Sequence, residues 1–306
     1  MNQQEKKRHG IFNKYVENLN FLVDYNFIVQ SKNNYLCPIC LEPHNKLNLP
    51  NPLTLEDAPP KSLGGKSNIL TCKKCNNTCG YKIDAHLTQR LRDLDKLKLT
   101  PDSSFPIEFE IDNIKVRGRM NIDKDGKQNV TVSNQNNNSK TLPELMQNIV
   151  GKPFEPYVIP GKVDEKNLEY ALLKTAYLMA FERFGYLLIL DDCFNIVREQ
   201  LLNPHKAIYP DNFWIKDFPM NINDAYIVCN ENIESLLSVF TLDTGITKFT
   251  FGVSLPLPKY NINFAIENLN KGLKNKGNIK LELFPNEKIN YLTDIVNILS
   301  LYAKIN

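Results

Sequence analysis

Two Cys-x-x-Cys pairs are the residues of this 306-residue chain whose spacing points most directly to a chemical role. They are Cys37/Cys40 and Cys72/Cys75, and an acidic segment rich in Pro and Gly lies between them. A pair of thiolates two residues apart fits a tight turn, and two such pairs supply the four ligands of a tetrahedral zinc ion in a reducing compartment. The four cysteines therefore predict a structural Zn²⁺ site. Chance spacing of buried cysteines is the disfavoured alternative, because both pairs flank one loop.

The segment between the cysteine pairs has the pattern of a strand, a loop and a second strand, followed by a helix. A short apolar stretch ends at a Pro-Pro pair, a Gly-Gly pair permits a turn, and a second apolar stretch leads into the second cysteine pair. The predicted parts are residues 53–55, 59–60, 64–65 and 68–71, with a helix from 75 onward. Zinc would then fix the hairpin to the helix.

Oxygen-bearing side chains are expected to meet where this hairpin approaches the helix. Glu56 and Asp57 come at the end of the first predicted strand, and Asn76 stands at the start of the helix. Carboxylate and amide oxygens are suitable ligands for Mg²⁺ or Mn²⁺. The sequence therefore predicts a second, hard-cation site formed by these three side chains.

Residues 35–90 resemble the zinc-stapled form of the HNH endonucleases, also called His-Me finger or ββα-metal nucleases, whose module is treble-clef-like. The motifs that carry the resemblance are L-T-L-E-D-A-P-P-K-S-L-G-G-K and the C-x-x-C-N that follows it. The resemblance implies that Glu56 is the metal-binding carboxylate and that Asn76 lies near a catalytic Mg²⁺ or Mn²⁺. It also implies that Lys61 and Lys66 contact phosphate. Asp57 stands where the family usually carries its general-base His.

Replacement of that His by Asp57 leaves three interpretations open. An ordinary Asp has a pKa of about 3.9 and is a weak base near neutral pH. Asp57 can be a second metal ligand, with metal-bound water as the nucleophile. It can instead be a base whose pKa is raised by its neighbour Glu56. In the third interpretation the site has lost catalysis and kept binding.

Three further polar residues are candidates near these sites. The family often carries an additional acidic or His residue on the helix, so Asp84 or His86 can reach the metal or a phosphate; for His86 a place on the helix surface is the favoured alternative. His44 follows the first cysteine pair. Because four cysteines already complete the coordination of zinc, we expect His44 to lie in an exposed loop.

Length and composition predict two domains of the α+β class. We expect an HNH-like module over residues 1–100 and a separate α+β domain of unknown role over 101–306. Residues 1–100 carry 15 Lys/Arg and 9 Asp/Glu, whereas the remainder carries 22 and 25, so the basic excess lies on the zinc-containing part. The odd count of seven cysteines argues against a disulfide framework, and no signal peptide or membrane span is apparent. The expected location is cytoplasmic.

Hydrophobic periodicity predicts the remaining elements. Helices are expected over 10–25, from 75 to about 97, over 141–150, over 164–202 with a break near Gly185, and over 293–305. Strands are expected within 106–111, 114–120, 129–133, 225–228, 236–242, 246–253 and 279–283. No motif in the second half names a ligand, and the helical block around residues 171–186 is expected to carry no catalytic residue.

Three classes of function are consistent with these patterns. The first is an HNH-type endonuclease that hydrolyses phosphodiester bonds, DNA being the expected substrate rather than RNA, in a setting such as defence against foreign DNA. The second is a catalytically degenerate zinc module that binds nucleic acid or a partner without cleaving it. The third is a structural protein in which zinc only folds a small domain. In each case the C-terminal domain can recognise substrate, sense a signal, or bind a protein partner or a second copy of the chain.

Overall fold

The computed structural model describes residues 2–111, 114–137, 142–143, 147, 155–218, 224–229, 233–258, 261–274, 280–283 and 290–305. It contains both helices and strands, and every strand pairing in it is antiparallel, which is consistent with the α+β class. The chain divides into two compact units. One comprises Met1–Thr88 together with Asp164–Asn306, and the other comprises Gln89–Val163.

The first helix, α1, spans Gln3–Asp24 and confirms the amphipathic helix predicted near the N-terminus. It begins several residues earlier than the hydrophobic pattern indicated, because Asn2 and Glu5 form a capping box that satisfies the first free N–H groups. Its buried face presents mainly apolar side chains: Ile11, Tyr15, Asn18, Leu19 and Leu22.

Two short hairpins follow α1. The first pairs β1 (Tyr35–Leu36) with β2 (Pro43–His44), and the second pairs β3 (Leu53–Ala58) with β4 (Lys66–Cys72). The loop between β3 and β4 depends on glycine: Gly64 has a φ of 87°, and a Cβ on Gly65 would collide with the carbonyl of Pro59. Strand, loop and returning strand therefore agree with the sequence.

The helix after the second hairpin is not uniform. Helix α2 (Lys73–Cys79) continues through a wider π-helical turn, Gly80–Asp84, into α3 (Ala85–Lys96). The sequence predicted one helix to about residue 97, and the extent is correct. A π-helical turn of this kind changes the direction in which the side chains around Asp84 project.

The unit Gln89–Val163 contains an antiparallel sheet in the order β7-β6-β5-β8. Its strands are β5 (Ser103–Ile111), β6 (Ile114–Ile122), β7 (Gln128–Val132) and β8 (Tyr157–Val158). Alternate residues of β5 and β6 form its core: Phe105, Ile107, Phe109, Val116, Met120 and Ile122. Strands β5, β6 and β7 agree with the alternating sequence pattern, whereas the sequence did not indicate β8. The helix expected over 141–150 lies mostly outside the described residues.

A long buried helix opens the second segment of the larger unit. Helix α4 (Glu165–Phe184) is followed by α5 (Tyr186–Ile189) and α6 (Asn195–Leu202). The predicted break occurs at Gly185, whose φ of 65° and ψ of −150° suit only glycine. Helix α4 buries side chains on all of its faces, which marks it as the core helix of this unit.

The rest of the larger unit is an antiparallel sheet in the order β13-β10-β11-β12-β9, with two helices. The elements in chain order are β9 (Trp214–Lys216), β10 (Asp224–Cys229), β11 (Ile233–Asp243), β12 (Lys248–Leu255), α7 (Ile262–Lys274), β13 (Lys280–Leu283) and α8 (Ile295–Ile305). Four of the five strands and the final helix match the predicted positions. The sequence did not indicate β9 or α7.

Helices α4 and α5 contact the segment that carries the first cysteine pair, and α4 also packs on strands β11 and β12 of the C-terminal sheet. The hydroxyl of Tyr177 donates a 2.5 Å hydrogen bond to the carbonyl of Pro38, and the hydroxyl of Tyr186 donates one of 2.7 Å to the carbonyl of Leu36. Both hydroxyls are buried beside the first cysteine pair. The compact units therefore have other boundaries than the domains expected at 1–100 and 101–306.

Candidate functional site

The four cysteines of the two Cys-x-x-Cys pairs form one cluster. Their Sγ atoms all lie within 4.8 Å of one another, and those of Cys40 and Cys72 are 3.8 Å apart. Tetrahedral coordination with Zn–S distances of about 2.3 Å requires sulfur atoms about 3.8 Å apart. The cluster therefore fits a structural zinc ion, which Cys37, Cys40, Cys72 and Cys75 can hold.

Local backbone geometry aims these sulfurs at one point. After β1 the chain turns tightly, with the N–H of Leu41 donating to the carbonyl of Cys37 at 2.8 Å and Leu41 itself at a φ of 60°. The N–H of Cys72 donates to Sγ of Cys37 at 3.4 Å, across the two pairs.

His44 does not lie in an exposed loop, and that expectation is wrong. It is in β2, opposite Tyr35, and only 1% of its surface is exposed. Neither ring nitrogen has a hydrogen-bond partner among the described residues. The segment after the first cysteine pair is short, and its sequence did not indicate that His44 lies in a two-residue strand packed on the core.

Glu56 lies inside the protein and not at an open metal site. Its side chain is 4% exposed. Oε2 accepts a 2.9 Å hydrogen bond from the hydroxyl of Thr71, and Oε1 accepts one of 2.6 Å from the ammonium of Lys174. Burial raises the pKa of Glu56, and the nearby Lys174 ammonium opposes that shift. Both oxygens of this carboxylate are therefore occupied by donors of the chain.

Lys174 is the residue of this site that the sequence did not indicate. It lies in α4 and its side chain is only 2% exposed. Its ammonium also donates to Oδ2 of Asp84 at 2.5 Å, so one cation bridges two carboxylates. Burial disfavours the charged ammonium, but Asp84 and Glu56 raise the pKa of Lys174 above its ordinary value. The signal that was available is a lysine inside the apolar run A-L-L-K-T-A-Y-L.

Asp84 belongs to this buried group, whereas His86 does not. Burial raises the pKa of Asp84, and its Oδ1 is buried with no hydrogen-bond donor among the described residues. His86 is half-buried, and its Nδ1 accepts a 3.0 Å hydrogen bond from the N–H of Asp164, the residue that caps α4. His86 thus contacts the start of a helix and has no contact with Glu56.

The side chain of Asp57 has a different hydrogen-bond partner from that of Glu56. Its Oδ1 accepts a 2.5 Å hydrogen bond from the hydroxyl of Ser67, its neighbour across the two strands. A β-bulge interrupts the pairing between Glu56 and Asp57, and successive side chains of a strand point to opposite faces. The two carboxylates consequently bind different partners.

Asn76 connects the helix to the first strand of the hairpin. Its amide nitrogen donates to the hydroxyl of Thr54 at 3.1 Å and to the carbonyl of Leu55 at 2.9 Å. These contacts fix α2 to β3 at the residue that directly follows the second cysteine pair. Asn76 therefore has a clear structural role at this position.

In the part of the chain that the structure describes, the four cysteines are the only group of at least three Cys, His, Asp or Glu residues with the spacing of a metal site. Glu56, Asp57 and Asp84 do not form such a group. The ammonium of Lys174 is already seated between Glu56 and Asp84. The Mg²⁺ or Mn²⁺ site of Glu56, Asp57 and Asn76 stays a prediction, and the contacts of Glu56 do not fit it.

The predicted phosphate contacts lie on the surface, Lys61 in the β3–β4 loop and Lys66 at the first residue of β4. Both side chains are exposed, and neither forms an ion pair in the described part of the chain. Between residues 52 and 88 every exposed charged side chain is a lysine, whereas the three carboxylates are buried or half-buried. The exposed set is Lys61, Lys66, Lys73, Lys74 and Lys82. The exposed charged side chains of this segment are thus all positive, while Asp57 and Asp84 are half-buried.

Comparisons of the chain with protein-family models, with curated proteins and with solved structures find no match. The resemblance to HNH endonucleases therefore rests on the residue pattern and on the geometry of the cysteine cluster. Among the described residues, no helix has both the length and the apolar character required to cross a membrane.

Proposed function

We propose that this chain binds nucleic acid through its zinc-stapled HNH-like module and does not cleave it at Glu56. In this proposal zinc and the buried Lys174 group hold the hairpin and helix in place. The lysines of the β3–β4 loop and of the following helix contact phosphates. DNA is the expected ligand.

The observation that carries the proposal is the sign of the exposed charge between residues 52 and 88. Five lysines face solvent there, and no exposed carboxylate in that segment offsets them. Phosphate contacts by Lys and Arg supply most of the affinity of proteins that bind nucleic acid without reading its sequence. A partner-binding protein in which zinc has only a structural role requires no such separation of charges.

The contacts of Glu56 argue against hydrolysis at this residue. A catalytic carboxylate must be free to hold a metal ion or to reach the reacting phosphate. Glu56 is 4% exposed and its two oxygens are bound by Thr71 and Lys174.

Metal-dependent hydrolysis of phosphodiester bonds is the second candidate, and the exposure of Asp57 is what favours it. This carboxylate is half-buried rather than buried, and it lies near the end of β3, just before the loop that carries Lys61. A bound Mg²⁺ or Mn²⁺ would polarise the scissile phosphate and stabilise the leaving oxygen. Asp57, not Glu56, is the residue on which such activity would depend.

Binding is tested by fluorescence anisotropy with a labelled DNA duplex and with single-stranded DNA and RNA of the same sequence, over a series of salt concentrations. Wild type is compared with Lys61→Ala/Lys66→Ala and with Lys124→Ala/Lys127→Ala, a matched pair of exposed lysines from the other unit. Each lost phosphate contact should reduce the slope of log affinity against log salt by about 0.9 on duplex DNA. Equal slopes for all three proteins, or no binding by wild type, would reject the proposal.

Cleavage is tested on plasmid DNA with Mg²⁺ or Mn²⁺, using wild type, Asp57→Ala and Glu56→Gln. The proposal predicts intact plasmid with all three proteins. Cleavage by wild type that is lost in Asp57→Ala would establish the second candidate instead. Cleavage that persists in both variants would indicate a contaminating nuclease.

A further inference from the structure

We propose that Lys174 stands in for a divalent cation, and that removing its ammonium would leave Glu56 and Asp84 as a site for one hard metal ion. The two carboxylates come from different elements, β3 and the π-helical turn, and the ammonium enters between them from α4. It lies 2.6 Å from Oε1 of Glu56 and 2.5 Å from Oδ2 of Asp84. A single cation thus holds together two buried anions that would otherwise repel each other.

The dimensions of the group suit a small divalent ion. Hard cations such as Mg²⁺ bind carboxylate oxygens at about 2.0–2.1 Å. Each oxygen would therefore have to approach the centre by only about 0.5 Å from its position around the Lys174 ammonium. With its nitrogen at these distances from both oxygens, the Lys174 ammonium occupies the position that a metal ion bound to both carboxylates would take.

The net charge of the group formed by Glu56, Asp84 and Lys174 also favours a divalent ion. Two carboxylates and one ammonium carry a net charge of −1 in the interior, where an uncompensated charge is costly. Oδ1 of Asp84 is buried and has no hydrogen-bond donor in the described part of the chain. A divalent ion would neutralise the two carboxylates fully and can bind the remaining oxygen, which the ammonium leaves without a partner.

The test adds Mn²⁺ to the zinc-loaded full chain. Electron paramagnetic resonance measures the free Mn²⁺, and thermal unfolding measures the stability of the protein. Wild type should leave the Mn²⁺ signal unchanged. Lys174→Met keeps most of the bulk of the side chain but ends short of the ammonium position. This variant should bind about one Mn²⁺ per chain, and Mn²⁺ should raise its melting temperature. The control Lys174→Met/Glu56→Gln/Asp84→Asn, which lacks both carboxylates, should do neither.

Several results would overturn the proposal. One is a folded Lys174→Met protein that takes up no Mn²⁺. Another is a Lys174→Met protein that fails to fold even when refolded with Mn²⁺, while the control variant folds. If neither variant folds, Mn²⁺ uptake is compared between wild type and Glu56→Gln. Uptake by wild type that Glu56→Gln abolishes overturns the proposal, and absence of uptake by wild type supports it. Metal is measured without nucleic acid, so the outcome is independent of the function proposed above.

Discussion

The ammonium of Lys174 donates a 2.6 Å hydrogen bond to Glu56 across 118 residues of sequence, and both side chains are almost completely buried. This contact places a buried cation against the hairpin that follows the first cysteine pair, in the segment proposed to resemble an HNH module. It also makes α4, which lies outside residues 1–100, part of the module's own core. The stability of the hairpin and the state of its carboxylate therefore depend on a helix from the second half of the chain.

Lys174→Met should lower the free energy of unfolding by about 3–5 kcal/mol, because it leaves two buried carboxylates without their cation. Urea denaturation followed by circular dichroism measures the loss. Lys166→Met is the matched control, since Lys166 also bridges two carboxylates, Glu169 and Asp211, but at the surface. That change should cost less than about 1 kcal/mol. Equal losses in the two variants would show that burial of Lys174 does not increase the contribution of its ion pairs to stability.

Asn76→Ala should destabilise the larger unit by about 1–3 kcal/mol, because it removes the donors to Thr54 and to the carbonyl of Leu55. The same denaturation experiment applies, with the exposed neighbour Asn77→Ala as the control. Nucleic-acid affinity of the folded protein should be unchanged. A loss of binding or of cleavage without a loss of stability would assign Asn76 to the chemistry of the site.

Removal of zinc should unfold the part of the larger unit that surrounds the cysteine cluster. Buried hydroxyls of Tyr177 and Tyr186 bond to the backbone of the first cysteine turn, so loss of that turn also removes contacts of α4 and α5. The measurement is circular dichroism after treatment with a chelator and a reductant, then after addition of Zn²⁺, which should restore the signal, or of Mg²⁺, which should not. Cys193→Ser should retain zinc, whereas Cys72→Ser should lose it.

Cys79 should make stability fall at alkaline pH. Burial raises the pKa of its thiol to about 12, whereas in the unfolded chain it is about 8.5. Between these values the folded state keeps a proton that the unfolded state has lost, so the free energy of unfolding decreases as pH rises. At pH 10 this amounts to about 2 kcal/mol relative to pH 7.

The check is urea denaturation of wild type and Cys79→Ala at the two pH values. The unfolding free energy of wild type minus that of Cys79→Ala should fall by about 2 kcal/mol between pH 7 and pH 10. Thr78→Ala, a neighbour with no ionisable group, should differ from wild type by the same amount at both pH values. A pH-independent difference for Cys79→Ala would mean that its thiol ionises in the folded protein.

The sequence by itself determined the features that depend on local spacing. The two Cys-x-x-Cys pairs predicted the metal-type cluster, and the Pro-Pro and Gly-Gly pairs placed the loop between β3 and β4. Alternating and helical periodicity located α1, α4 and most strands, because these patterns arise within a few neighbouring residues. A capping box extended α1 beyond its hydrophobic pattern. Strand β9 was missed because it has only three residues, and α7 was missed although its apolar residues recur at helical spacing.

Only the tertiary structure decided what the candidate site residues contact. The motif placed Glu56 and Asp57 side by side, but the pleat of the strand and a bulge gave them different partners. His44 lies in a two-residue strand and is buried, and Lys174, from the second half of the chain, contacts Glu56. The partner of a buried charge is set by which elements pack together, and that packing depends on the whole core rather than on neighbours in sequence.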